Sequence, residues 1–455
     1  MNLPQELLAA LAGVPGYDRE LFVTAHDRPA AISIRLNLAK PFTPSFAGST
    51  VPWHAEGRYL QQRPVFTLDP AYHAGAYYVQ EASSMFTGYL FRAVFPERHN
   101  LRVLDLCAAP GGKSTLLAAS LTGNSLLVSN EVIRTRASIL EENMSRWGYM
   151  NTWVTSNDPR DFGKLPDYFD AIVVDAPCSG SGLFRKDPRA LEEWSEQNVA
   201  LCTQRQQRIL ADVWPSLKDG GVLLYATCSY SPEEDEQILD WLGTSFEAEG
   251  IAVAVPDEWG VQTVTSSRGI TGYRFFPHRL QGEGFFIAAL RKPGGPSDFR
   301  YPKFKTTENK QATQQAAFLL EEGLPFIAIK TGEQVFSAIN PVHEADLHAL
   351  SKAVYLRKTG LELGSPAAKE WLPAHDVALS INVHPGLRRI HADKEQALRF
   401  LKKEDAGLPE AGKGWYLVSY EGMGLGWVKS LGNRYNNYLP KHWRIRMDIS
   451  DADWA

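Results

Sequence analysis

Short apolar runs alternate with longer amphipathic stretches through the middle of this chain. Leu101–Leu106 (LRVLDL), Ser125–Asn130 (SLLVSN), Thr152–Thr155, Phe169–Val174 (FDAIVV), Gly221–Ala226 (GVLLYA) and Glu283–Leu290 (EGFFIAAL) read as buried strands. Lys113–Ser120 and Ile133–Trp147 read as helices between them. Strands alternating with helices predict an α/β fold with a mostly parallel, doubly wound sheet covered on both faces. Ligands of such sheets sit outside the carboxyl ends of the strands, so the residues that follow each strand share one rim. Residues 1–95 instead mix helical patterns with short strand candidates such as Ala31–Leu38 (AISIRLNL).

Composition changes the picture mainly at the ends. The 455 residues are 44% hydrophobic and 22% charged, which excludes a disordered or low-complexity chain. At about 150 residues per domain, roughly three domains are expected. No apolar run reaches the ~18 residues of a membrane helix. The start, MNLPQELLAALAGVPGYDRE, lacks a basic lead and carries Glu6, unlike a secretory signal. A cytoplasmic monomer without a membrane partner is expected. Arg291–Gln311, rich in Pro, Gly and Lys, reads as a linker. The net charge of −5 argues against a basic surface overall. Asp376–Arg446 differs, with twelve Lys and Arg against seven Asp and Glu. Its Lys429, Arg434, Tyr435, Tyr438, Lys441 and Arg444 suit a nucleic acid, while the aromatics equally suit a small β core.

The first strand runs into DLCAAPGGKST, Asp105–Thr115. Gly111 and Gly112 let the backbone approach a ligand, and the helix start offers N–H groups. Taken alone the loop has two readings. Gly112-Lys113-Ser114 matches the end of a phosphate-binding P-loop, and Phe169–Asp175 resembles the acidic strand that accompanies one. Against this, Cys107 stands where the first P-loop glycine belongs, and Pro110 has no N–H to donate. A methyl donor is therefore favoured over a nucleoside triphosphate. The next three strands are followed by Glu131, Asp158 and Asp175. Carboxylates at successive strand ends suit a ribose diol and an adenine amine. Each taken singly equally suits a helix N-cap.

The four cysteines, Cys107, Cys178, Cys202 and Cys228, lie 71, 24 and 26 residues apart, without metal-finger spacing. Free thiols are expected at this density. Cys202, in a helical stretch, and Cys107 read as small buried hydrophobes. Cys178, in DAPCSGSG, follows the fourth strand, and Cys228, in ATCSYSPEEDE, follows the fifth. The strand-end rule directs both sulfurs into one crevice beside Asp175. Spacing leaves open which thiol attacks a substrate.

These motifs, with the Asn130-Glu131 and Asn157-Asp158 pairs, FRKDP and GEGFFIA, resemble the Nop/Sun family of RNA 5-methylcytosine methyltransferases. Arg35-Leu36-Asn37 and YVQEASS, Tyr78–Ser84, resemble its N-terminal elements, with Glu81 where the family often has Asp. The likeness spans residues 31–291. GLGWVKSLGNRYNNYLP further resembles the PUA-like end of bacterial small-subunit members. The resemblance implies an RNA-recognition region over 1–95 and a Rossmann-like methyltransferase domain over 96–295. A linker with a small α+β region over 296–375 and a PUA-like RNA-binding domain over 376–455 complete the chain. It implies S-adenosyl-L-methionine as cofactor, no metal, and 16S ribosomal RNA of the small subunit as partner.

The same resemblance implies roles by position. Cys228 is the nucleophile, Cys178 the cysteine of product release, and Asp175 the acid at cytosine N3. Lys113 belongs to the active-site pocket. Donor binding falls to Cys107, Ala108, Ala109, Pro110, Gly111, Gly112, Lys113, Glu131, Asp158 and Asp175. The chemistry gives two thiols work. Cytosine carbon 5 is a poor nucleophile until a thiolate adds to carbon 6, which gives carbon 5 enamine character. After methylation a base must remove the carbon 5 proton so that the thiolate can leave. Arg35, Arg185, Lys186 and Arg189 are candidates for RNA phosphates, though any one of them taken singly more often marks a solvated surface. Two rivals stay open: a P-loop nucleotide hydrolase, and a non-catalytic RNA-binding factor of ribosome assembly.

Overall fold

The strands of the central sheet carry the pattern that built them. In the computed structural model, which describes residues 1–44, 48–295, 299–368 and 370–451, these strands are β1 (Arg102–Asp105), β2 (Leu126–Asn130), β3 (Thr152–Thr155), β4 (Phe169–Asp175) and β5 (Leu217–Thr227). They continue as β6 (Gln262–Thr265), β7 (Thr271–Phe275), β8 (Phe285–Arg291) and β9 (Leu356–Lys358). Across the sheet the order is β6-β7-β8-β5-β4-β1-β2-β3-β9. The five strands from β5 to β3 run parallel, and β8 and β9 flank them antiparallel. Strand order reverses between β1 and β4, which opens the ligand crevice at their carboxyl ends. The expected linker Arg291–Gln311 and the expected region 376–455 lie in part outside the described residues.

Side chains alternate between the two faces, as strand geometry requires. Val103, Leu127, Val154, Val173 and Leu224 pack with Leu116, Leu117, Leu140 and Met144 of helices α1 (Gly112–Ser120) and α2 (Arg134–Trp147). Leu104, Val128, Trp153, Ile172 and Leu223 face the other way. There they meet Ile209, Leu210, Ile238 and Leu239 of α3 (Glu196–Val213) and α4 (Glu236–Ser245). The fold is the doubly wound α/β sheet that the alternation predicts. Cys202 is buried within α3.

Two features of the sheet differ from the expected pattern. β5 begins at Leu217 rather than Gly221, because Leu217 pairs with Phe169 while the polar residues up to Gly221 bulge out before Val222 meets Ala171. β9 comes from the region after the expected linker, and Ile327, Ile339 and Leu350 of that region join the core under the sheet. Arg102 and the Tyr168 and Tyr301 hydroxyls all donate to Asp346, which pins this region to the sheet.

Two further sheets meet on the opposite side. Ile32–Leu36 pairs with His54–Leu60 and Tyr77–Val79 near the N-terminus. Arg389–His391, Gly414–Tyr420, Met423–Ser430 and Tyr435–Asn437 form the sheet of the tail. Ile34, Leu60 and Tyr77 share one core with Ile390, Val418 and Leu425, so N-terminal region and tail pack as a unit. A fourth sheet, Ile327–Lys330, Phe336–Ile339, Leu361–Pro366 and Trp371–Pro373, completes the molecule among the described residues. No helix among those residues is long and apolar enough to cross a membrane.

Candidate active site

The carboxyl ends of β1, β4 and β5 border a cavity of about 430 Å³. Its walls include Asp105, Cys107, Ala108, Ala109, Pro110, Gly112, Lys113, Asp175 and Cys228. The loop after β1 can enter α1 only through Gly111, whose φ of +117° disfavours any side chain. The first turn of α1 thereby opens onto the cavity, where helix N–H groups lack internal partners.

The two rim thiols meet. The Sγ atoms of Cys178 and Cys228 are 3.1 Å apart, both partly exposed. The strand-end rule anticipates this convergence. The two loops are also stitched together: Gly182 N–H donates to the Cys228 carbonyl, and Tyr230 N–H donates to Ser181 Oγ. The Cys178 thiol lies well above its ordinary range, because of its hydrogen bond with Cys228, its burial and the charge of Cys228, with a smaller push from Glu234.

Lys113 closes the other side. Its Nζ lies 2.8 Å from Asp175 Oδ2 and 5.0 Å from the centre of the Phe285 ring. Burial pulls the ammonium down, but the charge and hydrogen bond of Asp175 outweigh it and hold Lys113 above its usual range. The residue that a P-loop would aim at a phosphate is spent on a carboxylate. Burial, with the charges of Asp105 and Asp175, also pushes the Cys107 thiol up, which disfavours its thiolate.

Glu131 and Asp158 are not among the residues that line this cavity. Glu131 accepts from Ile133 N–H and pairs at 3.3 Å with Arg136, which donates to the Ala109 carbonyl and does line the cavity. Asp158 caps the short helix Pro159–Phe162, accepting from Arg160 N–H, the local role that any strand-end Asp can take. Asn130 fixes that loop by donating to the Asn157 carbonyl.

Several cavity residues carried no assigned role in the sequence. Asp105, the last residue of β1, is fully buried and accepts from Ser114 Oγ at 2.6 Å. Its Oδ1 has no partner among the described residues, and burial pushes its carboxyl up to about 7. The strand-end rule applied to β1 itself would have found it. Tyr78, Gln80 and Glu81 arrive from the N-terminal sheet, and Glu283 and Phe285 from the start of β8. All lie inside quoted motifs.

Two candidate phosphate contacts are corrected. Arg35 is buried, donating to Gln80 Oε1 and Thr115 Oγ1 and stacking over Trp147. It clamps α1 to the N-terminal sheet. Arg185 is buried too, forked onto both Glu283 oxygens and donating to the Gly282 carbonyl. Lys186 and Arg189 stay exposed, as do Arg434, Lys441 and Arg444 of the tail. Hydrogen bonds from a charged donor contribute about 1.5–3 kcal/mol each. Arg35→Ala is therefore expected to lower the melting temperature clearly. Unchanged melting with weaker RNA binding would return Arg35 to the phosphate role.

A Rossmann-like sheet with a glycine loop after β1, carboxylates along the rim and two touching thiols defines a methyltransferase-type α/β protein. Three family models match in chain order: the N-terminal domain of 16S rRNA methyltransferase RsmF over residues 3–82, 16S rRNA methyltransferase RsmB/F over 93–291, and the methyltransferase RsmF PUA domain over 387–445. The ribosomal RNA small subunit methyltransferase F of Shewanella loihica is 31% identical, the match covering 92% of this chain and 90% of the relative. That of Pectobacterium atrosepticum is 30% identical over 97% and 95%. Among solved structures, a methyltransferase homolog protein from Pyrococcus horikoshii is 28% identical with a TM-score of 0.51, covering 64% of this chain and all of that one. NSun6 from the same organism, 20% identical with a TM-score of 0.52, shares the fold over 64% of this chain and 99% of its own. The chain belongs to the ribosomal RNA small subunit methyltransferase F family, and so to the methyltransferases.

Proposed function

We propose that this chain transfers a methyl group from S-adenosyl-L-methionine to carbon 5 of a cytosine in 16S ribosomal RNA. The observation that carries the reading is the 3.1 Å contact of Cys178 with Cys228, which lines the cavity together with the Lys113–Asp175 pair and the loop after β1. The cavity fits the cofactor. It sets Cys107 to Pro110 and Gly112 beside a buried carboxyl oxygen of Asp105 that lacks a partner among the described residues, a match for a positively charged ligand. Glu131 and Asp158 follow β2 and β3, the strands next to β1 in the sheet, where a ribose and an adenine would extend. S-adenosylmethionine supplies an electrophilic methyl group.

The chain's own residues divide the remaining work. Cys228 adds to carbon 6 of the cytosine. Asp175, held by Lys113, meets ring N3 in its protonated form and donates to it as the thiolate adds, so that the ring does not carry the added negative charge. Cys178 serves the release step. A target base must leave its stack to reach so recessed a site. The exposed Lys186, Arg189, Arg434, Lys441 and Arg444 are available for the RNA backbone around it.

The test is transfer of a labelled methyl group to 16S ribosomal RNA and to intact small subunits, with the label located by nuclease digestion and mass spectrometry. Label on cytosine carbon 5 in either substrate is the expected result. Cofactor binding without label on either form would favour a non-catalytic RNA-binding role.

A further inference from the structure

A path of hollows leads from the active-site cavity over the N-terminal sheet. Val79, Gln80 and Glu81 line the cavity and also a second hollow of about 430 Å³. Val79 and Arg63 line both that hollow and a third of about 460 Å³. Lys186, eight residues after Cys178, borders the second, and Phe66 and Tyr72 border the third. The three spaces thus adjoin in order, from Cys228 to Tyr72.

The charges along this path are of two kinds. Arg185 is spent on Glu283. Glu81 is the one carboxylate bordering the two outer hollows among the described residues, and it accepts from the N–H groups of Ser83, Ser84 and Glu283. Arg63 and Lys186, by contrast, are exposed and make no ion pair among the described residues. The Arg63 guanidinium lies 5.5 Å from the centre of the Phe66 ring, which is buried in the core with Leu60 and Tyr77. The ring holds the cation in place without neutralising it, so binding an anion there costs little further ordering. The outer end of the path reaches the tail. Arg146, near the end of α2, lies 5.0 Å from the centre of the Tyr72 ring and 5.1 Å from that of Trp443. Lys441 and Arg444, close to Trp443 in the chain, are exposed.

We propose that the single-stranded RNA next to the target cytosine lies along this path, with its phosphates on Arg63 and Lys186, and runs past Tyr72 toward the cations of the tail. This rests on the reading of the cavity as the site that takes a cytosine of RNA. A base extruded into a recessed site brings its neighbours to the mouth, where their phosphates need cations that are not already paired. Arg63 supplies one. Its flat guanidinium and the half-buried Tyr72 ring also offer surfaces on which a neighbouring base stacks. An acidic peptide would meet the same cations, but the path ends at Cys228 and the Lys113–Asp175 pair, whose proposed chemistry needs a base.

The experiment is filter binding of 16S ribosomal RNA to the full-length protein over a range of salt, without cofactor. Arg63→Ala and Lys186→Ala should each raise Kd about threefold to tenfold. Each should also lower the slope of log Kd against log salt by about 0.7, the value for one contact to a single strand. Arg63→Lys should keep the slope. Lys330→Ala, which removes an exposed cation from the fourth sheet, should leave Kd and slope unchanged. Calorimetric affinity for S-adenosylmethionine should also hold in all variants, because neither Arg63 nor Lys186 borders the cavity. Weaker binding with an unmoved slope would mark a merely structural loss and overturn the proposal. A folded double variant whose Kd stays within about twofold of wild type at every salt concentration overturns it too, and leaves the path to an acidic partner. An equal loss in Lys330→Ala also overturns it, since positive charge would then act without regard to place. Binding is read apart from methyl transfer, so the path can fail while the proposed reaction stands. Loss of binding in these variants, with no methyl transfer by the wild type, would keep the path and remove the reaction.

Discussion

Cys228→Ala is expected to abolish methyl transfer while leaving cofactor affinity intact. Cytosine carbon 5 cannot attack a methyl group until carbon 6 carries a nucleophile, so loss of the thiol removes the route rather than slowing it. Losing the attacking group in covalent catalysis costs more than about a thousandfold in kcat. The side chain removed is small and partly exposed, so the fold should survive. The donor loop lies across the cavity on β1 and α1 and does not depend on Cys228 for its shape. Single-turnover transfer to 16S ribosomal RNA, beside calorimetric titration of S-adenosylmethionine, checks both halves. Normal turnover would remove Cys228 from the attacking role. Joint loss of turnover and cofactor binding in a folded sample would point to a structural role instead.

Cys178→Ala is expected to trap RNA on the protein. Addition by Cys228 proceeds, but the step that frees carbon 6 loses its helper. A positioned acid–base group contributes about a hundredfold to ten-thousandfold, and turnover should fall by that range. The covalent species should then appear as an RNA–protein band that survives denaturant and vanishes when Cys228 is also replaced. The 3.1 Å contact is the reason to expect specificity: no other thiol is hydrogen-bonded to Cys228 among the described residues. Absence of the band under methylating conditions would assign release to another group.

Much of the central sheet was legible because its strands are fully buried and its helices amphipathic. Thr152–Thr155 is the strand that the pattern predicts, and β1, β2 and β4 agree within a residue at each end. The convergence of Cys178 and Cys228 was legible too, since parallel neighbouring strands must end on one rim. Other features were hidden by their length scale. Leu356–Lys358 reads as a fragment of a separate region, and only its pairing with β3 makes it an edge of the catalytic sheet. Arg35 and Arg185 look like free cations in the sequence. Their partners Thr115 and Glu283 stand 80 and 98 residues away, and nothing local marks the burial. Glu234 sits in a run of four acidic residues that resembles a solvated helix start, yet it is buried between two loops.

The sequence by itself determined the fold class, the rim shared by the strand ends and the convergence of two thiols on it. Those follow from periodicity and from the order of strands, which are local or nearest-neighbour properties. The tertiary structure decided which charges are free and which are spent. It placed Lys113 on Asp175, removed Arg35 and Arg185 from the RNA surface, and packed the tail against the N-terminal sheet. A charge's role depends on its desolvation and its partner. Both are set by residues distant along the chain, so they exist only once the chain has folded.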